Sequence, residues 1–179
     1  MRSSLAVFAL MVVPAVALAQ QNDSQEKMIR NALSAAPEDV AENATVMTMD
    51  GTVLRPGTNE FTCFPDDPDV PNNSPMCVDA NWLAILDAYL NKRDPDFSGV
   101  GISYMLQSDM PTSNVDPFAT GPTEDNQWIP VGRPHIMVAV SDLSMLEGLS
   151  TDPDNGGAWV MWPGTPYAHI MIPTVQRTD

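Results

Sequence analysis

Both histidines of this chain, His135 and His169, occur in the same short pattern, His-Ile-Met followed by an aliphatic residue. Met137 and Met171 therefore stand two positions after the histidines. Side chains two positions apart in a strand project from the same face, so each pair can present an imidazole and a thioether together. This ligand combination suits copper, particularly Cu(I), and does not suit magnesium or calcium. The pattern predicts a copper site formed by His135, Met137, His169 and Met171.

The four side chains converge only if their two strands are neighbours in a suitable register. The antiparallel register that achieves this places His135 opposite Met171 and Met137 opposite His169, and a parallel register places the two histidines side by side. The chain contains twelve methionines, a content that favours a metal site. An alternative stays open, because methionine also fills irregular cores well and both histidines can have structural roles.

The segment 156–173, G-G-A-W-V-M-W-P-G-T-P-Y-A-H-I-M-I-P, has the pattern of a β-hairpin with a Pro-Gly turn. We expect Trp162 to pair with Tyr167 and Val160 to pair with His169. This register directs one apolar face to the core and places the histidine on the opposite face, beside the two aromatic rings. Trp162 and Tyr167 are therefore candidate ligand-binding residues for a small molecule or a protein partner. The expected core-facing residues are Trp159, Met161, Ala168, Ile170 and Ile172.

A small enzyme with a histidine-centred pocket is the alternative from another functional class. His169, Tyr167 and Asp116 could surround a pocket covered by the long proline-rich segment 108–127, which has no periodicity. The sequence has no zinc-protease motif and no phosphate-binding loop. We therefore assign no catalytic residue and predict no organic cofactor.

The N-terminus has the features of an export signal. Arg2 precedes an apolar segment at 5–16, and the sequence A-L-A at 17–19 has the small-x-small pattern of a cleavage site. The apolar segment is too short to span a membrane. We expect a signal peptide at 1–19, a single globular domain at 20–179, and a periplasmic or secreted location without a membrane span.

Acidic residues far outnumber basic ones. The chain has 8 Lys and Arg against 23 Asp and Glu, which gives a formal net charge of -15. A surface of this sign repels the phosphate backbone of nucleic acids, so we expect no nucleic-acid partner. The acids are scattered among prolines in loops, which is typical of the surface of a soluble exported protein.

The two cysteines, Cys63 and Cys77, bracket a segment rich in proline and aspartate. Two cysteines in an exported chain are expected to pair, because export compartments are oxidising. We predict a disulfide bond between them. A nucleophilic cysteine with a histidine base is the less favoured alternative.

The remaining elements predict an α+β fold. Apolar residues at helical spacing indicate helices at 25–36 and 79–93, and Asp50-Gly51 between alternating runs indicates a two-residue hairpin turn. We expect 128–131 to return to the same sheet. These signals predict one domain with a mainly antiparallel sheet of six or seven strands and two or three flanking helices.

Four motifs, T-C-F-P-D-D-P, G-I-S-Y-M-L-Q, P-H-I-M-V and the tail W-V-M-W-P-G-T-P-Y-A-H-I-M-I-P, resemble those of an uncharacterised family of exported bacterial proteins. The resemblance covers nearly the whole chain after the signal. It implies a periplasmic or secreted location in a bacterium, and it implies no activity.

Overall fold

The computed structural model describes residues 15–130 and 132–174, which form an α+β fold as the sequence predicted. The strands are β1 (Thr45–Met47), β2 (Val53–Arg55), β3 (Thr62–Phe64), β4 (Met76–Val78), β5 (Val100–Met105), β6 (Thr112–Ser113), β7 (Trp128–Ile129), β8 (His135–Val140), β9 (Trp159–Met161) and β10 (His169–Pro173). The helices are α1 (Ala15–Leu33), α2 (Glu38–Ala41), α3 (Ala80–Leu90) and a 3-10 helix at Leu143–Leu146.

Eight strands form one sheet in the order β2-β1-β3-β4-β5-β8-β10-β9. All neighbours are antiparallel except β1 and β3, which are parallel. The prediction that 128–131 joins this sheet is wrong, since Trp128–Ile129 pairs with β6 in a separate two-stranded sheet. The reason is that β5 and β10 already occupy both sides of β8, the next strand in the chain.

Helix α3 begins at a side-chain cap that also attaches it to the sheet. One carboxylate oxygen of Asp79 accepts from the backbone N–H of Trp82 at 2.7 Å, and the other accepts from the N–H of Ile102 in β5 at 2.8 Å. Gly101 permits the close approach, because a β-carbon there would lie 3.1 Å from the backbone nitrogen of Trp82. The predicted helix is confirmed, although it ends at Leu90 instead of at 93.

Helix α1 is longer at its N-terminus than expected, since it begins at Ala15 and ends at Leu33. Ala, Leu and Gln at 15–21 favour helix and no proline or glycine interrupts them. The predicted start at residue 25 is therefore wrong. Of the predicted signal peptide, residues 1–14 lie outside the described part of the chain. No helix among the described residues is long and apolar enough to cross a membrane.

The two faces of the main sheet are covered by different helices. Helix α3 lies on one face, where its Trp82 and Ile85 pack with Met105, Met137 and Met171. Helices α1 and α2 pack on the other face, in a cluster that includes the two cysteines. These cysteines form the predicted disulfide, with an S–S distance of 2.05 Å.

The C-terminal hairpin has a register that differs by one residue from the predicted one. His169 pairs with Met161 instead of Val160. The difference arises at Trp162, which leaves the ladder with a φ of 54° and donates its backbone N–H to the carbonyl of Asn114 at 2.7 Å. A shift of one residue exchanges the faces of a strand. Trp159 and Met161 consequently share the face of His169, which packs against α3, and Ile172 is 37 % exposed instead of facing the core.

Candidate functional site

A cavity of about 500 Å³ lies where the histidine face of β8, β9 and β10 meets the connecting segments. The sheet contributes His135, Trp159, Met161 and Met171 to its lining. The segments that cross this end of the sheet contribute Asp109, Thr112, Gln127, Trp128, Ile129, Pro130, Gly132, Arg133, Asp152, Pro153 and Asp154, and Pro173 completes the lining. The proline-rich segment that the sequence analysis singled out therefore supplies part of one wall.

His135 is the first residue of β8 and is 2 % exposed. Its Nδ1 lies 2.6 Å from the carbonyl oxygen of Arg133. A carbonyl can only accept, so Nδ1 carries the proton and Nε2 of the neutral ring is an acceptor. This Nε2 is buried and has no hydrogen-bond partner among the described residues. Leaving such a group unpaired costs free energy, so a partner that reached this atom would gain a favourable hydrogen bond.

Asp109 lies beside this nitrogen in the cavity lining. Its Oδ2 lies 3.9 Å from Nε2 of His135, which is too far for a hydrogen bond. Its Oδ1 accepts from the backbone N–H of Met110 at 2.7 Å, and its side chain is 13 % exposed. Burial raises the pKa of Asp109 above its ordinary value, and the neighbouring His135 partly opposes that rise. The carboxyl group is thus available to a partner that enters the gap.

The position of Asp109 is fixed by a close backbone contact. Asp109 and Gly132 form an isolated antiparallel bridge, and the hydroxyl of Ser108 donates to the carbonyl of Gly132 at 2.9 Å. A β-carbon at 132 would lie 2.1 Å from the β-carbon of Asp109. Only glycine therefore allows the two segments to approach as they do.

Trp159 supplies a half-buried aromatic wall whose orientation is also fixed. Its Nε1 donates to Oδ1 of Asn114 at 2.9 Å. The amide nitrogen of Asn114 donates in turn to Oε1 of Gln127 at 2.8 Å and to the carbonyl of Thr151 at 2.9 Å. Because the indole N–H is already bonded to Asn114, the ring offers its apolar surface to the cavity.

The residues predicted to bind copper are brought onto one face but are not brought together at one point. Met137 pairs with Met171, and His135 pairs with Pro173, which is four positions from His169 along β10. The register required for convergence of all four side chains therefore does not occur. Among the described residues no group of three or more His, Cys, Asp or Glu side chains could hold a metal ion. Copper binding at these residues stays a prediction.

His169 lies outside the cavity lining, in an aromatic environment. Its ring meets Trp82 and Trp162 edge to face, with centroid distances of 5.2 Å and 5.1 Å. Its Nδ1 lies 2.9 Å from the carbonyl oxygen of Tyr167, and its Nε2 has no hydrogen-bond partner in the part of the chain that the structure describes. Burial lowers its pKa to about 4. The imidazole is therefore neutral at physiological pH.

Trp162 and Tyr167, the predicted ligand-binding residues, have their polar groups engaged inside the protein. The indole N–H of Trp162 donates to the carbonyl of Ser113 at 2.8 Å, and the hydroxyl of Tyr167 donates to the carbonyl of Arg93 at 2.8 Å. Both rings pack against Tyr89. They belong to an aromatic cluster beside His169 and do not appear in the cavity lining.

Three site residues were missed in the sequence. Trp159 would have been assigned to the histidine face if the hairpin register had been correct. Trp128 was expected in the main sheet. Asp109 had no signal, because its role depends on a contact with Gly132 that is distant in the chain.

No protein-family model, curated protein or solved structure matches this chain. The fold and the site define an α+β domain with a pocket at one end of its sheet, and its function has to be argued from that pocket.

Proposed function

We propose that this protein is an exported binding protein that takes a small molecule into the cavity beside His135. The observation that carries the proposal is the Nε2 atom of His135, which is buried beside a cavity of about 500 Å³ and has no partner among the described residues. A cavity of this size, with apolar walls and a few convergent polar groups, is typical of small-molecule sites. A ligand that donates a hydrogen bond to Nε2 would satisfy the buried acceptor.

Two features support an exported location. The sequence at 1–19 has the pattern of a cleavable signal. The disulfide between Cys63 and Cys77 is of the kind that persists in the periplasm and outside the cell.

Binding is favoured over covalent catalysis by what surrounds the imidazole. Neither serine nor cysteine appears among the described residues that line the cavity, and both cysteines of the chain are in the disulfide. A serine or cysteine nucleophile for His135 to activate is therefore not provided by these residues. His169, Tyr167 and Asp116 do not supply one either, because the Tyr167 hydroxyl donates to the backbone carbonyl of Arg93 and Asp116 accepts from the N–H of Phe118 at 2.9 Å.

The chain offers a matched pair of variants to test this proposal. Both histidines are 2 % exposed and both place Nδ1 on a carbonyl two residues earlier, but only His135 lines the cavity. Aromatic fragments carrying alcohol, amide or amine groups would be screened against the disulfide-bonded protein by ligand-observed NMR. We expect fragments whose binding is lost in His135→Gln and kept in His169→Gln. A screen without such fragments, with both variants folded, would contradict the proposal.

Copper binding is a second candidate function. The surroundings of His169 favour a copper site with a different and smaller set of residues than the one predicted from the sequence. We propose that Cu(I) binds His169 together with Met161, its cross-strand partner, and Met171, two positions further along β10. Both methionines are 3 % exposed and belong to the cluster that packs against α3. An imidazole whose Nδ1 is held by a carbonyl and whose Nε2 is neutral is prepared to bind a metal, and a pKa of about 4 removes competition from protons.

A competitive Cu(I) titration separates this site from the originally predicted one. We expect one-to-one binding that is lost in His169→Gln, weakened in Met161→Leu and retained in His135→Gln. Loss in both histidine variants would favour the four-residue site of His135, Met137, His169 and Met171. Binding that is indifferent to His169→Gln would exclude both.

A further inference from the structure

We propose that the ligand of the cavity is an organic cation, a primary or secondary ammonium group attached to a flat apolar body. The inference rests on the proposed binding function and names the class of ligand. Three features point to this class of ligand. They are the gap between Nε2 of His135 and Oδ2 of Asp109, the two tryptophans in the cavity lining, and the charges of the lining.

The first argument is the number of hydrogen-bond donors that the gap requires. Nε2 of His135 and an ionised Oδ2 of Asp109 are both acceptors, and they lie 3.9 Å apart. Nε2 is buried, so the side chains around it must move slightly to admit a ligand atom; one nitrogen atom about 2.9 Å from each acceptor then donates to both. A hydroxyl group has a single proton and can serve only one of them. A carboxylate has none and would be repelled.

The second argument is charge. In the described part of the chain the cavity lining includes the acidic residues Asp109 and Asp152 and one arginine, Arg133. The whole chain carries a formal charge of -15. Both the cavity and the long-range field therefore favour a cation over an anion. A positive ligand would also stabilise the ionised form of Asp109, which burial otherwise disfavours.

The third argument concerns the body of the ligand. Trp159 and Trp128 line the cavity together with Met161 and Met171. Trp159 is held in place by Asn114, so its ring can receive a flat apolar group at little entropic cost. Indole rings also attract cations through their faces.

A metal ion fits the gap less well than an ammonium group. His135 and Asp109 would supply two ligands, and the described residues contain no cluster of three or more His, Cys, Asp or Glu side chains. Zinc sites in proteins use at least three protein ligands. The cavity volume of about 500 Å³ is also that of an organic molecule and not of a single ion.

Three probes of the same shape and different head group test this inference: benzylamine, benzyl alcohol and benzoate. Their dissociation constants for the disulfide-bonded protein would be measured at pH 7 by titration calorimetry. We expect benzylamine to bind at least about tenfold more tightly than benzyl alcohol, since a charged hydrogen bond is lost with the alcohol. We expect no binding of benzoate.

Variants locate the effect within the cavity. Asp109→Asn should weaken benzylamine at least about tenfold and leave benzyl alcohol within about twofold. Asp39→Asn, which removes an exposed carboxylate in α2, should change neither. Near-UV circular dichroism and a thermal melt would establish that each variant is folded, and the comparison of the three probes on the unmodified protein does not depend on any variant.

The outcomes separate the proposed binding function from the cation inference that rests on it. If benzyl alcohol or benzoate binds as tightly as benzylamine and the binding requires His135, the cavity is a binding site and the cation inference is overturned. If none of the three binds, the cation inference is also overturned, and the fragment screen with His135→Gln decides whether the binding function remains. Benzylamine binding that survives Asp109→Asn unchanged would overturn the bridging geometry.

Discussion

Gly132 lies directly against Asp109, and the backbone contact between them places the carboxyl group at the cavity. A β-carbon added at 132 would lie 2.1 Å from the β-carbon and 2.8 Å from the α-carbon of Asp109. Neither neighbour is the end of a flexible side chain. The two segments must therefore separate if residue 132 is anything other than glycine.

The first prediction follows from this contact. Gly132→Ala should lower the free energy of unfolding by about 1–3 kcal/mol, the usual cost of overpacking, and should displace Asp109 from the gap beside His135. Chemical denaturation would measure the first effect, and loss of fragment binding would measure the second. Gly121→Ala is the matched control, because a β-carbon there meets nothing within 4 Å. A Gly132→Ala protein as stable as the Gly121→Ala protein would contradict the prediction.

The second prediction concerns Asp79, which caps α3 and accepts from the N–H of Ile102 in β5. Asp79→Ala leaves two backbone N–H groups without their partner, so the free energy of unfolding should fall by about 2 kcal/mol or more. Asp142→Ala provides the comparison, since Asp142 caps only the short 3-10 helix through Ser144 and should cost at most about 1 kcal/mol. Urea denaturation of both variants would measure the difference. Equal losses would show that the link to β5 contributes nothing.

The elements that the sequence predicted correctly are those whose signals are local. The apolar stripe of α3 lies within one segment. A turn that contains Asp50-Gly51 does join the antiparallel strands β1 and β2, although the hydrogen bond from Thr48 N–H to the Thr52 carbonyl encloses three residues instead of the predicted two. The chain contains two cysteines, so each could form an intramolecular disulfide only with the other. These features need no knowledge of distant contacts, and the fold class follows from them.

The hairpin register and the site depended on contacts that a sequence does not display. Trp162 has a positive φ, which is uncommon for any residue except glycine and is not indicated by its type. Its backbone N–H is held by Asn114, which lies far away in the chain. A one-residue error at this point placed Trp159 and Met161 on the face opposite His169 and Met171. Asp109 was missed for the same reason, because Gly132 positions it across the fold.

The third prediction concerns the disulfide. The bond between Cys63 and Cys77 closes a loop with a sequence separation of 14, so its removal should lower the free energy of unfolding by about 3 kcal/mol on the loop-entropy estimate. Both cysteines are fully buried, and the Cys63→Ala/Cys77→Ala variant avoids burying new polar groups. Guanidinium denaturation of this variant and of the oxidised protein would measure the loss. Coinciding midpoints would mean that the covalent link does not contribute to stability.

The fourth prediction is a dependence of stability on pH through His169. Its pKa is about 4 in the folded protein, below the ordinary value of 6.5, because burial disfavours the charged ring. The unfolded chain therefore binds a proton more readily between these two values. The contribution of His169 to stability is complete above pH 6.5 and is lost as the pH falls toward 4, by up to about 3 kcal/mol. His169→Gln has no such proton to bind, so the difference in unfolding free energy between it and the unmodified protein should shrink between pH 7 and pH 4. Asp109, whose raised pKa acts in the opposite direction, is present in both proteins and cancels in the comparison. A difference that stays constant over this range would show that His169 is not held neutral by burial.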